Sequence, residues 1–397
     1  MSASPANGPS FAGRVRALVH GIAFGDAMGA PVEKLSATEI RARYGRVTSL
    51  HTAWHRAGQD EIARNGRVRG NGIVTDDTLM TLCLMQVYND ERRHLDAWDM
   101  ARGMVRQIAW ETRWVPELQR DCALIERLFY PEKWIFQRHQ LAGCDPRQGG
   151  IGNMVNCGAA MYIAPVGVVN ACDPVAAYDE AIAFASGHQQ SYGLEAAGVL
   201  AAAIAAAFVP GTDIDTVVQT AYALAKDGTR AAIGEIAEAA QTLRAGGAEP
   251  DQVVAEFHRR IARFSPMGDD LVHGPGKAGL PTQAYQPSRL MSIEELPLAL
   301  GFALVANGDF RAAVVAGINS GRDTDSIGVM TGAILGALHG EVVIDADDAA
   351  TLDGANRLAL GHLAHTFAQT AQDIIAQDAA RSARVQAARA AITAKGV

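Results

Sequence analysis

The chain has 397 residues, 49% hydrophobic and 20% charged, which supplies a substantial core and excludes a disordered chain. Its formal charge of -8, without a basic block, argues against a nucleic-acid partner held by phosphate neutralisation. Five cysteines, Cys83, Cys122, Cys144, Cys157 and Cys172, are odd in number and show no C-x-x-C spacing. That disfavours both a disulfide framework and a structural zinc site, and reduced thiols in a cytoplasmic setting are expected.

Residues 1–10 form a small-residue, Pro/Gly-containing tail without a basic or apolar targeting region, so a loosely ordered tail and no export are expected. Residues 11–397 are expected to form one domain. After a helix-like Val15–His20 come Gly21, Gly25 and Gly29 at i, i+4, i+8, with Pro31 ending the element. Such a row is a smooth face that lets another backbone approach closely, and alone it indicates helix packing rather than catalysis. Residues 45–74 follow, polar and Gly-rich, then an acidic cluster, Thr75-Asp76-Asp77-Thr78, that leads into the apolar run Leu79–Met85. All five tryptophans precede residue 135 and are expected mainly to fill core or rim.

A second Gly-rich loop spans 143–156. Leu194–Val209 is almost wholly apolar but holds Glu195 and falls short of the ~20 residues of a membrane span, so it is expected as a buried helix and no membrane partner is expected. Ala-rich stretches with spaced Leu, Ile and Val recur at 200–208, 213–226, 229–245, 251–264, 294–306, 309–319, 327–339 and 356–393. They match helix length and propensity, with Asp213 and Asp309 placed as N-caps and Pro297 in a first turn. Alternating β-branched runs are scarce, so the predicted class is all-α. A third polar loop, 265–290, includes Gly274-Pro275-Gly276-Lys277, which lacks P-loop spacing and could instead cover a ligand.

Asp323-Thr324-Asp325-Ser326 repeats the pattern of the first acidic cluster and again precedes an apolar run, Ile327–Leu335. Each cluster reads as a helix N-terminus, where Asp, Thr and Ser serve as caps. Carboxylate and hydroxyl oxygens at this density also suit a hard divalent cation. For one cluster alone the cap is the simpler reading; the pair, preceded by the glycine row, is more specific.

Gly25-Asp26-Ala27-Met28-Gly29 with Glu33, then Thr75-Asp76-Asp77-Thr78, then Gly321-Arg322-Asp323-Thr324-Asp325-Ser326, resemble in order the motifs of the ADP-ribosylglycohydrolase family, the group that includes dinitrogenase reductase-activating glycohydrolases. Gly150-Ile151-Gly152-Asn153 through Met161, and Ser186-Gly187-His188, resemble its Gly-rich substrate loop and histidine segment. The resemblance covers most of the chain. It implies a single orthogonal helical domain with long polar loops around a dinuclear cleft, holding two Mg2+ ions or Mn2+ in their place. Carried over residue by residue, the ligands are Thr75, Asp76, Asp77, Asp323, Asp325 and Ser326, with Glu33 reaching the metal or its water. Gly152, Asn153 and His188 fall where the family contacts ribose and diphosphate. His188 on its own reads equally well as a hydrogen-bonded core histidine.

Five carboxylates in one pocket would repel one another, and two divalent ions would offset most of that charge. The implied activity is hydrolysis of a ribosyl bond in a protein-linked or small ADP-ribose conjugate, by a monomer or small homo-oligomer. Glu33, Asp76 or Asp77 would be the general base. The alternatives are a small N-riboside hydrolase and a non-catalytic ADP-ribose-binding relative. Two positions depart from the family: Ser326 stands for a commoner threonine and keeps the hydroxyl, whereas Arg322 replaces a glycine. An arginine there could hold a substrate phosphate or carboxylate, pair with a neighbouring aspartate, or face solvent.

Overall fold

The computed structural model describes residues 8–264 and 294–393. The expected 265–290 loop, with its Gly274–Lys277 element, and residues 1–7 of the tail lie outside the described residues. In chain order the α-helices are α1 (Phe11–Gly29), α2 (Ala37–Tyr44), α3 (Asp76–Glu91), α4 (Ala97–Asp99), α5 (Tyr130–Ala142), α6 (Ala164–Val169), α7 (Pro174–Ala185) and α8 (Ser191–Ala207). They continue with α9 (Ile214–Leu224), α10 (Asp227–Gly246), α11 (Pro250–Ile261), α12 (Glu295–Val305), α13 (Phe310–Asn319), α14 (Thr324–His339), α15 (Ala346–Asn356) and α16 (Leu360–Thr393). The predicted caps are in place: Asp213 accepts from the Thr216 amide at 2.8 Å and Asp309 from the Ala312 amide at 2.7 Å. The stretch expected as one helix over 356–393 instead breaks after Asn356. There Arg357 is left-handed (φ 54°), and α16 starts at Leu360.

The fold is helical, with one small antiparallel hairpin among the described residues, β1 (Thr112–Val115) against β2 (Arg120–Ala123), in which Thr112 faces Ala123 and Val115 faces Arg120. At the middle of the body α1 lies directly on α14, and the glycine row is the cause. A Cβ at Gly25 would enter the Gly328 carbonyl and one at Gly21 the Gly332 carbonyl; one at Gly29 would come within 2.5 Å of the Asp325 amide. α14 answers with its own small residues, because a Cβ at Gly328 would sit 2.6 Å from the Gly25 carbonyl oxygen. Backbone meets backbone along three turns, so α14 starts where α1 ends.

α14 with the turn after it, Thr324–Val343, is apolar enough to cross a membrane by length and composition, but 78% of its most apolar window is buried among the other helices. The expected buried helix within Leu194–Val209 is α8, inaccessible from Ala197 to Ala207. Around this centre one contiguous hydrophobic cluster runs from Val15 of α1 to Ile374 of α16. The 45–74 loop is pinned at both ends by buried or half-buried amides. Asn319 of α13 clamps Val47 (2.9 and 2.7 Å), and Asn356 of α15 clamps Val74 and Gly72 (2.9 and 2.7 Å).

Candidate metal centre and active site

α3 begins at the first acidic cluster, and two groups share its capping. Thr75 is the N-cap, its hydroxyl accepting from the Asp77 amide at 3.4 Å. The stronger cap comes from α1: Asp26 Oδ2 accepts from the Thr75 amide (2.9 Å), the Thr78 amide (3.1 Å) and the Thr78 hydroxyl (2.5 Å). Burial pushes the Asp26 carboxyl up to about 6 in spite of its hydrogen bonds from Thr75 and Thr78. With the helix end satisfied by Thr75 and Asp26, the carboxylates of Asp76 and Asp77 are not needed as caps. At the second cluster Asp323 is the N-cap of α14 by position, yet its side chain makes no capping bond. Thr324 turns away and donates to the Gly29 carbonyl at 2.9 Å.

The two clusters therefore meet through side chains. Ser326 Oγ donates to Asp77 Oδ1 at 3.0 Å across 249 residues of sequence. Carboxylate oxygens of Glu33, Asp323 and Asp325 lie within 4.8 Å of one another. Glu33 is brought there by a backbone ladder: the Lys34 amide donates to the Arg322 carbonyl and the Arg322 amide to the Leu35 carbonyl, both at 2.9 Å. Asp77, Asp325, Asp76, Glu33, Asp323 and Ser326 line one cleft of about 160 Å3, together with Arg67, Arg69, Arg127, Glu132, Asn156, Cys157 and Glu295.

Burial and neighbouring like charges act together on the carboxyls of this cleft. Burial, then Asp26, Asp76 and Asp323, raise Asp77 well above the usual carboxylate range; burial, then Glu33, Asp323 and Asp77, do the same to Asp325. Asp76 is raised more modestly, because Arg127 beside it opposes the effect of burial. Asp325 Oδ1 is buried and without a hydrogen-bond partner among the described residues.

Two arginines without a sequence signature, gathered on Glu117, counter part of this charge. Arg127 pairs with Asp76 and with Glu117, and Arg69 pairs with Glu33 and, at 2.6 Å, with Glu117. Arg69 also comes within 4.0 Å of Asp325. Glu117 sits in the Pro116–Leu118 turn of the hairpin, 1% exposed. Burial alone would push it up; the two arginines overcome this and hold it down to about 2.

Several expected substrate residues lie elsewhere. Arg322 does not line the cleft. It is left-handed (φ 73°), which explains why a glycine suits this position, and its side chain is 2% exposed with Nη1 2.9 Å from Glu294. Burial excludes the solvated surface among the three expectations for this arginine, and Glu294, at the start of α12, gives it a buried partner. His188 is fully buried, with Nε2 2.5 Å from Glu132 and Nδ1 2.9 Å from the Tyr162 hydroxyl. It holds Glu132, which does reach the cleft, and so acts from behind the wall. Asn153 donates to the His188 carbonyl at 2.8 Å and Gly152 is exposed, neither lining the cleft. The Gly-rich loop reaches it a few residues later, through Asn156, Cys157 and Gly158. Cys157 Sγ donates to Asp323 Oδ2 at 3.5 Å and to Ser326 Oγ at 3.4 Å.

A family model described as ADP-ribosylglycohydrolase matches residues 7–389. The chain belongs to the ADP-ribosylglycohydrolase family. It is 27% identical over 365 residues to the uncharacterised protein YegU of Escherichia coli (strain K12), covering 90% of this chain and 97% of that one. It is 25% identical over 326 residues to an uncharacterised protein of Archaeoglobus fulgidus, covering 82% and 87%. Among solved structures, an ADP-ribosylglycohydrolase-related protein complex shares the fold with a TM-score of 0.56 at 20% identity, covering 91% of this chain and 99% of that chain. Membership supports a glycosidase of the ADP-ribosylglycohydrolase type acting on a ribose-containing substrate.

Proposed function

We propose that this chain is a divalent-cation-dependent hydrolase that cleaves the bond between an ADP-ribosyl group and a protein side chain or a small leaving group. The observation that carries this reading is the meeting of two acidic helix starts, joined by Ser326 and Asp77 at 3.0 Å, in one cleft with Glu33. The residues present fit two hard cations. Five carboxylates and the hydroxyls of Thr75 and Ser326 are oxygen donors, and Asp325 keeps an orphaned buried oxygen. Arg69 and Arg127 leave the cleft with surplus negative charge.

Thr75, Asp76, Asp77, Asp323, Asp325 and Ser326 would hold the ions, with Glu33 alongside. Magnesium, or manganese in its place, would fix ribose hydroxyls and polarise a nearby water when bound. The protein's own contribution is clearer for the proton. Of the three expected bases, Asp76 is tied to Arg127 and Glu33 to Arg69, and no arginine or lysine pairs with Asp77 among the described residues. Asp77, which accepts from the Ser326 hydroxyl at 3.0 Å instead of pairing with an arginine, is the best placed to accept a proton from the attacking water. Glu33, Asp325 and Asp323 around the same cleft would favour the positive charge that develops on the sugar as its bond to the leaving group breaks.

The test is release of ADP-ribose from ADP-ribosyl-arginine and ADP-ribosyl-serine peptides, with Mg2+ or Mn2+. Asp77→Asn and Asp323→Asn should each lower kcat by roughly a thousandfold while melting cooperatively. Millimolar Mg2+ should raise the melting temperature of the native chain, as binding to the folded state requires. Retained turnover in both variants, or no shift with either ion, would overturn the reading.

A further inference from the structure

We propose that Arg67 sets the substrate preference of the cleft: its guanidinium receives an anionic oxygen group of the substrate, phosphate or carboxylate, and disfavours a leaving group that is itself a cation. The inference rests on the hydrolytic reading and names which conjugates that site takes. Arg67, Arg69 and Arg127 all line the cleft, but their charges are met differently. Arg69 is held by Glu33 and Glu117, and Arg127 by Asp76 and Glu117. Arg67 pairs with no carboxylate among the described residues; its Nη2 donates to the Arg127 carbonyl at 2.7 Å, which leaves most of its N–H groups for a ligand.

That position is costly without a ligand. Arg67 is half-buried, and a guanidinium keeps its charge at any working pH, so its removal from water is offset only by an anion. Burial and then Arg127 pull Arg67 below the ordinary arginine range; Glu117 and Asp76, both committed to Arg127, oppose this only in part. Lys133 of α5 adds to the same field. Its ammonium donates to the Glu126 carbonyl at 2.8 Å, and burial and then Arg67 lower it as well. The neighbouring main chain is fixed, because the Val68 amide donates to the Glu117 carbonyl at 2.8 Å. A phosphate or carboxylate would meet the planar fork of Arg67 bidentately. A guanidinium leaving group would face it with like charge, since the cleft's carboxylates are shared among Arg69, Arg127 and, on the hydrolytic reading, the ions.

The test compares the full chain with Arg67→Gln and Arg67→Lys, both of which should still melt cooperatively. The native chain should favour serine-linked over arginine-linked ADP-ribosyl peptides in kcat/KM by about tenfold or more, as a lost or opposed charge-assisted bond predicts. Arg67→Gln should bring that ratio to within about threefold, and Arg67→Lys, which keeps the charge without the fork, should restore part of it. Titration calorimetry with ADP-ribose and Mg2+ then separates the two sources of the anion. Binding weakened by about tenfold in Arg67→Gln assigns it to the diphosphate. Unchanged binding, with a loss of kcat/KM confined to a glutamate-linked peptide, assigns it to a departing carboxylate. If Arg67→Gln changes neither the affinity for ADP-ribose nor any ratio between peptides, the inference is overturned while the hydrolytic reading stands. Weakened ADP-ribose binding in Arg67→Gln, with no turnover of any peptide by the native chain, would remove the hydrolytic reading and leave the anion seat in place.

Discussion

The two walls of the cleft are built on different principles. One wall is the seam of α1 and α14, where glycines bring main chain against main chain and the acidic residues project from helix ends. The opposite wall is a set of long side chains, Arg69 from the 45–74 loop and Arg127 from just after the hairpin, gathered on the buried Glu117. Position on the first wall follows from helix geometry and has no room to vary. On the second it depends on charge balance, so it responds to pH and to any cation that competes for the same carboxylates.

The sharpest way to break the first wall is a single methyl. Gly25→Ala places a Cβ in the Gly328 carbonyl, a backbone group that cannot rotate aside. We expect a loss of about 3–4 kcal/mol, at or above the usual cost of overpacking. Gly58→Ala, where nothing lies within 4 Å, should stay within about 0.5 kcal/mol. Urea unfolding of the two variants checks the contrast, and equal midpoints would show that α1 and α14 can separate cheaply.

Glu117→Gln tests the second wall and should cost about 3 kcal/mol near neutral pH, since it removes the charge that two buried guanidinium groups share and leaves them only Asp76 and Glu33. The pH dependence gives the sign. Glu117 is held down to about 2, below its unfolded value, so its contribution is complete above about pH 4.5 and is lost as the pH falls toward 2. The native chain should therefore lose stability across that window more steeply than Glu117→Gln. Matching acid-unfolding slopes would mean that the arginines are balanced by other groups.

The same contrast explains what could be read from the chain alone. A glycine at every fourth position and an acidic quartet before an apolar run are local patterns, and they place α1, α3, α14 and the cleft's aspartates. Asp26 lay inside a recognised motif, but its work as a cap on another helix is a tertiary contact with no local trace. Arg69, Arg127 and Glu117 are isolated charges in polar stretches, indistinguishable in sequence from surface residues until the hairpin folds them inward. Arg322 and His188 do not line the cleft for a related reason. The direction of each side chain is set by a glutamate contributed from elsewhere in the chain, Glu294 or Glu132.

The smallest expected effect separates the cleft from the rest of the molecule. His94 lies between Glu180 Oε2 at 2.6 Å and Asp378 Oδ2 at 2.7 Å, tying the end of α3 to α7 and to α16. Its hydrogen bond to Glu180, outweighing burial and helped by the charges of Glu180 and Asp378, raises it to about 9. A histidine raised on folding contributes fully below its unfolded value of about 6.5 and loses that contribution as the pH rises through 9. The side chain is 33% exposed, so solvent screening reduces the gain to about 1 kcal/mol. His94→Gln should thus flatten the alkaline limb of the stability profile between about pH 6.5 and 9 and leave the acid limb, governed by Glu117, unchanged. A change in both limbs would show that α16 and the arginine wall are energetically coupled rather than independent.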